Sequence, residues 1–251
     1  MRILLINDDG SREDKAKGTY LLRDKLMDLG HIVYTVLPLI DASGASFSIN
    51  MPDMGIDVHE IEPYLYGVNG TPVSCVIYGM HKFQTETEKF DLVVSGPNAG
   101  DNKDLMILSS GTCAGALFAS LQYQIPAVAF SVETRGMEVS NWEAIVAAAV
   151  DVISLIEKVG PKKGFINVNL PNMVTKPDTI VLAPFIPYLN LKVEEFEGEG
   201  LPRFIYKFDY PSDKLYNYDV IKMTFVSVET DITLLELFNN FAEKEEKEEV
   251  Q

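Results

Sequence analysis

The run Ile3-Leu4-Leu5-Ile6 is apolar at every position and stops abruptly at Asn7-Asp8-Asp9-Gly10. A strand with one face in water alternates apolar and polar residues, so a run without alternation belongs to a strand covered on both faces. Such strands occur in parallel sheets sandwiched between helices. The rest of the first half keeps to that pattern. Residues 15–29 carry the spacing of an amphipathic helix, Gly30 stops it, and 31–38 form a second β-rich run. Pro72 suits the first turn of a helix over 72–83, and further helices are expected from near Ser110 and over 142–158. Strands are expected over 56–61, 91–95, 127–132 and 165–170, with 43–50 as a polar loop.

After Pro171 the pattern changes to β-rich pieces over 179–183, 203–209 and 220–228, interrupted by Pro184, Pro187, Pro202 and Pro211. Alternation in Phe204-Ile205-Tyr206-Lys207-Phe208 suits an antiparallel strand with one exposed face. The segment reads either as an appendage for covering a site or for oligomer contacts, or as an ordinary extension of the sheet. A helix is expected over 233–242, followed by a solvated run of Glu and Lys. The expected organisation is a catalytic core over 1–171, a β-rich extension with the last helix over 172–242, and an acidic tail over 243–251.

The 251 residues suffice for one large α/β domain or two small ones, and 47% hydrophobic content is ample for a core. No stretch approaches the roughly 18 apolar residues of a membrane span, and the apolar opening is too short for a signal peptide. A soluble, cytoplasmic protein is expected. Cys75 and Cys113 lie in apolar, helix-like segments, which favours buried free thiols over a disulfide. A formal net charge of −16 argues against a nucleic-acid polymer or an anionic membrane as partner. An acidic protein that binds phosphate needs cations at the site, which points toward a metal.

Ligands of an open parallel sheet bind beyond the carboxyl ends of its strands, where loops and helix N-termini converge. That rule selects Asn7-Asp8-Asp9-Gly10, Asp41-Ala42-Ser43-Gly44 and Gly96-Pro97-Asn98-Ala99-Gly100. Adjacent carboxylates repel unless a cation compensates, and Mg²⁺ or Mn²⁺ favours carboxylate, carbonyl and hydroxyl oxygens. Asp8, Asp9, Ser43 and Asn98 form such a set. Taken alone, Asn-Asp-Asp-Gly is as compatible with a turn, and a loop Ser or Asn more often caps or turns. Convergence on one sheet edge is what favours the site. Ser109-Ser110-Gly111-Thr112-Cys113-Ala114-Gly115-Ala116 opens a helix with small residues, which suits either phosphate at its N–H groups or plain close packing. The run lacks the Gly-Lys-Ser/Thr ending of a P-loop, and no Gly-x-Gly-x-x-Gly or Gly-x-Ser-x-Gly occurs. His31, His59 and His81 are too scattered for a zinc cluster.

At these residues the sequence resembles the SurE family of metal-dependent nucleotide phosphatases. The resemblance runs through residues 1–10, Gly70-Thr71-Pro72 with Cys75, Ser95-Gly96-Pro97-Asn98, Gly100, Asn102, Ser110-Gly111-Thr112, Gly115-Ala116-Leu117, Ile125-Pro126 and Asn167-Val168-Asn169-Leu170-Pro171. It covers about 1–171, with an echo at Tyr218-Asp219 and Phe225-Val226-Ser227-Val228. It implies a Rossmann-like three-layer α/β domain with a mostly parallel sheet and a smaller C-terminal β extension used in dimerisation. It also implies hydrolysis of nucleoside 5′- or 3′-monophosphates, a small-molecule substrate, one Mg²⁺ or Mn²⁺ per subunit, and a homodimer or dimer of dimers. The metal ligands implied are Asp8, Asp9, Ser43 and Asn98. Asp8, Asp9 and Asn98 are the catalytic candidates, while Asn7, Asn102, Ser110, Gly111 and Thr112 would hold phosphate or substrate.

The sequence departs from the family pattern in several places, among them the family's Thr-Pro-Leu near the end, replaced here around Glu229-Thr230-Asp231. Ala42 and Phe47 stand in a loop that usually carries an Arg and a following His, Met106 where Asp is common, and Ser109 where His or Tyr is common. These bear on substrate choice and turnover, so a metal-binding relative that has lost turnover is one rival reading. A receiver-type signalling module is another, but it needs an acceptor Asp and a Lys at later strand ends, near which this chain has Asn98 and Ser131.

Overall fold

The computed structural model describes residues 1–172 apart from 52, 135 and 161–163, together with four later strands. Strands β1 (Arg2–Ile6) and β2 (Ile32–Pro38) flank helix α1 (Lys17–Asp28). A hairpin follows, β3 (Val58–Glu62) and β4 (Leu65–Val68), then α2 (Pro72–Phe83), β5 (Leu92–Ala99), the one-turn α3 (Met106–Ser109) and α4 (Gly111–Tyr123). β6 (Ala127–Glu133), α5 (Trp142–Val159) and β7 (Phe165–Pro171) complete the first half, and β8 (Ile180–Leu182), β9 (Leu191–Phe196), β10 (Arg203–Phe208) and β11 (Ile221–Val226) follow.

Nine of these strands form one sheet in the order β3-β4-β2-β1-β5-β6-β7-β11-β8. The pairings from β4 through β7 are all parallel, while β3 and β11 run antiparallel to β4 and β7. From β1 the chain steps outward to β2 and β4, then returns through α2 to place β5 on the other side of β1. The boundary between β1 and β5 is therefore the switch point, where loops diverge and leave a crevice.

The apolar opening run explains the layering. Successive side chains of a strand point to opposite faces. Ile3 and Leu5 pack with α1 and α5, through Leu22, Leu26, Ile145 and Ile153. Leu4 and Ile6 pack with α2 and α4, through Cys75, Val76, Cys113 and Ala116. The result is the expected three-layer α/β architecture. Thr71 caps α2 by accepting the Ser74 N–H at 3.3 Å, with Pro72 in the first turn, and Gly30 leaves α1 at a left-handed φ of 87°. Both cysteines are free and buried. Among the described residues no helix is long and apolar enough to cross a membrane.

Three elements were not expected from the sequence: β4, α3 and β9. The strand expected over 56–61 is observed as β3, largely exposed, and its partner β4 supplies the buried contacts. β5 runs on past Ser95 to Ala99, with its register to β6 broken between Ser95 and Asn98. β8 and β11 extend the main sheet, whereas β9 and β10 pair with one another. The helix expected over 233–242 and the acidic tail lie outside the described residues.

Leu4 is fully buried while Ile32, also on a core strand, is 54% exposed. Leu4→Ala should lower stability by about 2–5 kcal/mol. Ile32→Ala should cost less than about 1 kcal/mol. Urea unfolding of both variants checks the alternation, and similar losses at the two positions would contradict it.

Candidate active site

The end of β1 carries the centre of the site. Asp8 follows Ile6 with the same orientation, toward the helix face that α4 covers, and its side chain is 3% exposed. Both carboxylate oxygens are engaged by one residue of that helix. The Thr112 N–H donates to Oδ2 at 2.9 Å and the Thr112 hydroxyl to Oδ1 at 2.5 Å. The positive end of the helix dipole adds to this hold. Gly111 makes the approach possible, because a Cβ there would sit 2.9 Å from both Cβ and Oδ2 of Asp8. Ser110 caps α4 by accepting the Cys113 N–H at 3.1 Å. Sequence reasoning assigned Thr112 to phosphate, and the observed partner of its two donors is Asp8.

The loop after β2 is pinned to the same point, since the Ala42 N–H donates to the Asp8 carbonyl at 2.8 Å. Ser43, next to it, is exposed and gives its N–H to Asp41 Oδ1 at 2.8 Å. On the opposite side of β1, β5 pairs Ser95 with Ile6, which brings Asn98 to the same edge. The Asn98 amide nitrogen donates to the Gly100 carbonyl at 2.8 Å, leaving the carboxamide oxygen as its lone-pair donor. Asn7 points the other way, toward α1. Its amide donates to the Gly10 carbonyl at 3.1 Å and Thr19 Oγ1 at 3.4 Å, which makes it a brace of the loop.

Electrostatics give this edge its character. Burial pushes the Asp9 carboxyl up to about 8 from 3.8, with Asp8 and then Asp41 adding repulsion. Burial also raises Asp8, against the two hydrogen bonds from Thr112. Asp41 is thus a third acidic contributor that sequence reasoning left aside, its loop having been read through Ser43. Among the described residues no three His, Cys, Asp or Glu side chains form a metal cage. A cation here would instead draw on a mixed set of two carboxylates, the Asn98 oxygen and a hydroxyl, all hard donors. That donor set fits a hard divalent cation.

Asn102, expected at the substrate, lies in a buried polar network whose other members the sequence did not single out for the site. Its amide donates to Ser131 Oγ at 2.7 Å, and its backbone is bonded to Asn167 and Asn169. Ala42, Met106 and Ser109, three of the departures from the family pattern, gather around the start of α4, and the one around residue 230 lies outside the described residues. Met106 accepts from the Ser110 N–H and the Ser109 hydroxyl, and the Ala42 carbonyl lies 3.1 Å from where a Gly111 Cβ would be. Phe47, 37% exposed, meets Phe118 of α4 edge to face at 6.4 Å.

Taken together, a doubly covered parallel sheet with an acidic, oxygen-rich crevice at its switch point defines an α/β protein built to hold a cation beside a small anionic ligand. Residues 3–184 match the family model described as survival protein SurE, and the chain belongs to that family. It is 36% identical over 179 residues to the 5′-nucleotidase SurE of Lawsonia intracellularis, covering 70% of this chain and 68% of that protein. It is 33% identical over 219 residues to the 5′-nucleotidase SurE of Methylocella silvestris, covering 84% of each. The crystal structure of the SurE protein from Aquifex aeolicus superposes with a TM-score of 0.78 at 26% identity, over 96% of this chain and 100% of that one.

The raised carboxyls set a pH dependence for the metal-free protein. Asp9 in the folded state titrates above its unfolded value, so between about pH 4 and pH 8 the folded protein holds the extra proton. Stability contributed by that proton is complete below the unfolded value and is lost as pH rises through the folded one. With chelator present, the melting temperature should fall from pH 5 to pH 8, and Asp9→Asn should flatten the fall. A wild-type profile as flat as the mutant's would contradict the assigned burial.

Proposed function

We propose that this chain is a metal-dependent phosphomonoesterase acting on nucleoside 5′- or 3′-monophosphates. The observation that carries this reading is the acid pair at the switch point, Asp8 buried against the start of α4 and Asp9 beside it with its carboxyl raised to about 8, in a chain whose relatives are named 5′-nucleotidase. Asp8, Asp9, Ser43 and Asn98 would hold the cation. When bound, Mg²⁺ or Mn²⁺ supplies Lewis-acid stabilisation of charge on a phosphate oxygen. Thr112 keeps Asp8 in a fixed rotamer, so the carboxylate needs no reorganisation when substrate arrives. Ser110 and Gly111 sit where the first turn of α4 can receive remaining phosphate oxygens, and the Gly111 N–H is the first-turn donor that Asp8 and the Ser110 cap do not take. Asn7 and Asn102 support the substrate side by bracing their loops. From the family reading we add a homodimer or dimer of dimers and a cytoplasmic location. The domain division at 171, with the segment beyond it serving oligomer contacts, belongs to the same reading.

Phosphate release from a nucleotide panel, with Mg²⁺, Mn²⁺ or chelator, tests this directly. Hydrolysis of monophosphates that chelator abolishes is expected. Cation binding without turnover under every condition would favour the reading as a relative that has lost activity, to which Ala42, Met106 and Ser109 point. Asp9→Asn should lower kcat/KM at least about 100-fold while the fold is kept, because one of two crowded cation ligands is gone. Full activity of that variant at low metal would remove Asp9 from the site.

The loop after β2 suggests a preference. An Arg beside the phosphate would give charge-assisted hydrogen bonds, and its absence at Ala42 should weaken highly charged substrates more than those with an organic group to bind. Phe47, partly exposed beside Phe118 of α4, would give a base a stacking surface. Nucleoside monophosphates should therefore be hydrolysed better than polyphosphate, and Ala42→Arg should narrow the gap. Equal kcat/KM for both substrates in the wild type, or an unchanged ratio in the variant, would show that this loop does not set substrate choice.

A further inference from the structure

Strand interiors disfavour asparagine, and a carboxamide removed from water is destabilising unless its donors and acceptor are matched. β7 nevertheless carries Asn167 and Asn169, exposed by 0% and 1%. Their alternate spacing puts both on the face that α4 covers, in line with Phe165, while Ile166, Val168 and Leu170 pack toward α5.

Both asparagines turn to one residue of the loop after β5. Asn169 Oδ1 accepts the Asn102 N–H at 2.9 Å, and its amide donates to the Asn102 carbonyl at 2.9 Å. Asn167 donates to the same carbonyl at 2.7 Å. The backbone of Asn102 is thus gripped as a neighbouring strand would grip it, but by side chains. Between the two lies β6, whose Ser131 is in register with Asn98 on one side and Asn169 on the other. Ser131 also accepts the Asn102 side-chain amide at 2.7 Å. Asn98, Ser131 and Asn169 form one cross-strand row, and Asn102 is latched across it. Cys113 ties the first turn of α4 to the same network, its thiol donating to Asn167 Oδ1 at 3.4 Å.

We propose that Asn169, assisted by Asn167, is a positioning residue for the phosphomonoesterase reaction, fixing the end of β5 with Asn98 and the following loop with Asn102 without touching substrate. The proposal rests on the function proposed above. It explains why two buried carboxamides occupy a strand otherwise suited to valine and isoleucine. A misplacement of about 1 Å in such a loop can cost on the order of 100-fold in rate.

The test compares wild type, Asn169→Ala, the milder Asn169→Ser, and Leu26→Ala, a core truncation in α1 away from this loop. Readouts are thermal stability, kcat and KM for a nucleoside monophosphate, and hydrogen exchange at the Asn102 backbone amide followed by NMR. Asn169→Ala should speed that exchange at least about tenfold and lower kcat about 10- to 100-fold, with KM moving less than about threefold. Asn169→Ser should fall between it and wild type, and stands in for it if the alanine variant does not fold. Leu26→Ala should lower the melting temperature and leave kcat unchanged. Unchanged kcat in a folded Asn169 variant, or an equal loss in Leu26→Ala, overturns the proposal. The exchange measurement needs no turnover. Unaltered Asn102 protection overturns the latch even in a protein that hydrolyses nothing, whereas lost protection in such a protein supports the latch and counts against the phosphatase reading alone.

Discussion

A carboxylate buried at the tip of a strand must be held by donors brought to it, and Asp8 receives one donor on each carboxylate oxygen from Thr112 at the start of α4. That contact joins residues 104 positions apart and ties the central strand to the helix that covers it. It also dictates the local sequence. Residue 111 must lack a side chain, because a Cβ would strike Asp8, and residue 110 must cap the helix from outside, because Thr112 is already committed. The Ser110-Gly111-Thr112 opening of α4 is therefore explained by a single hydrogen-bonding demand, whether or not a phosphate also meets that helix end, while Gly115 further on makes room for Ile6 and Pro72.

The hold is incomplete, and the incompleteness has chemical meaning. Hydrogen bonding and the helix dipole favour the charged form of Asp8, yet burial outweighs them and its carboxyl is raised. Asp9 has no such donors among the described residues and is raised to about 8. Two neighbouring acids kept above their ordinary range hold a proton that a cation can displace, so the charge the protein leaves uncompensated appears only when a cation arrives to meet it. Structural ion pairs do the opposite, matching each charge with a partner. An acid pair left in this state is poised for a cation from solution, and the hard oxygens around it restrict which cation fits.

Much of this was legible in the residues because it depends on local pattern. Unalternating runs such as Ile3–Ile6 report strands with two dry faces, and the topology rule for parallel sheets then selects the loops after β1, β2 and β5. Pro72, Gly30 and Ser110 mark helix ends through their own backbone chemistry. What escaped depends on partners distant in sequence. β4 is short, and its expected neighbour β3 is mostly exposed, so neither shows a strong period. α3 is a single turn, below the length at which helical spacing can register. Thr112 reads as a phosphate donor until the approach of β1 reveals Asp8 as its acceptor. Asn167 and Asn169 read as anomalies in a strand until Asn102 arrives from the loop after β5.

The departures from the family pattern can be weighed in the same terms. Ala42, Met106 and Ser109 are scattered over 68 positions of sequence but gather at one place, the start of α4. None of their side chains touches the Asp8 carboxylate or its Thr112 donors; Ala42 reaches Asp8 only at its carbonyl, through a backbone N–H that any residue but proline would supply. The carboxylates and their support are thus separable from the surface on which an incoming phosphate would lie. Change at these three positions alters the charge and shape of that surface while leaving the acid pair under the same burial and the same repulsion. A substrate that relies on many charged contacts would feel the change most, and one that also places an apolar ring against Phe47 would feel it least.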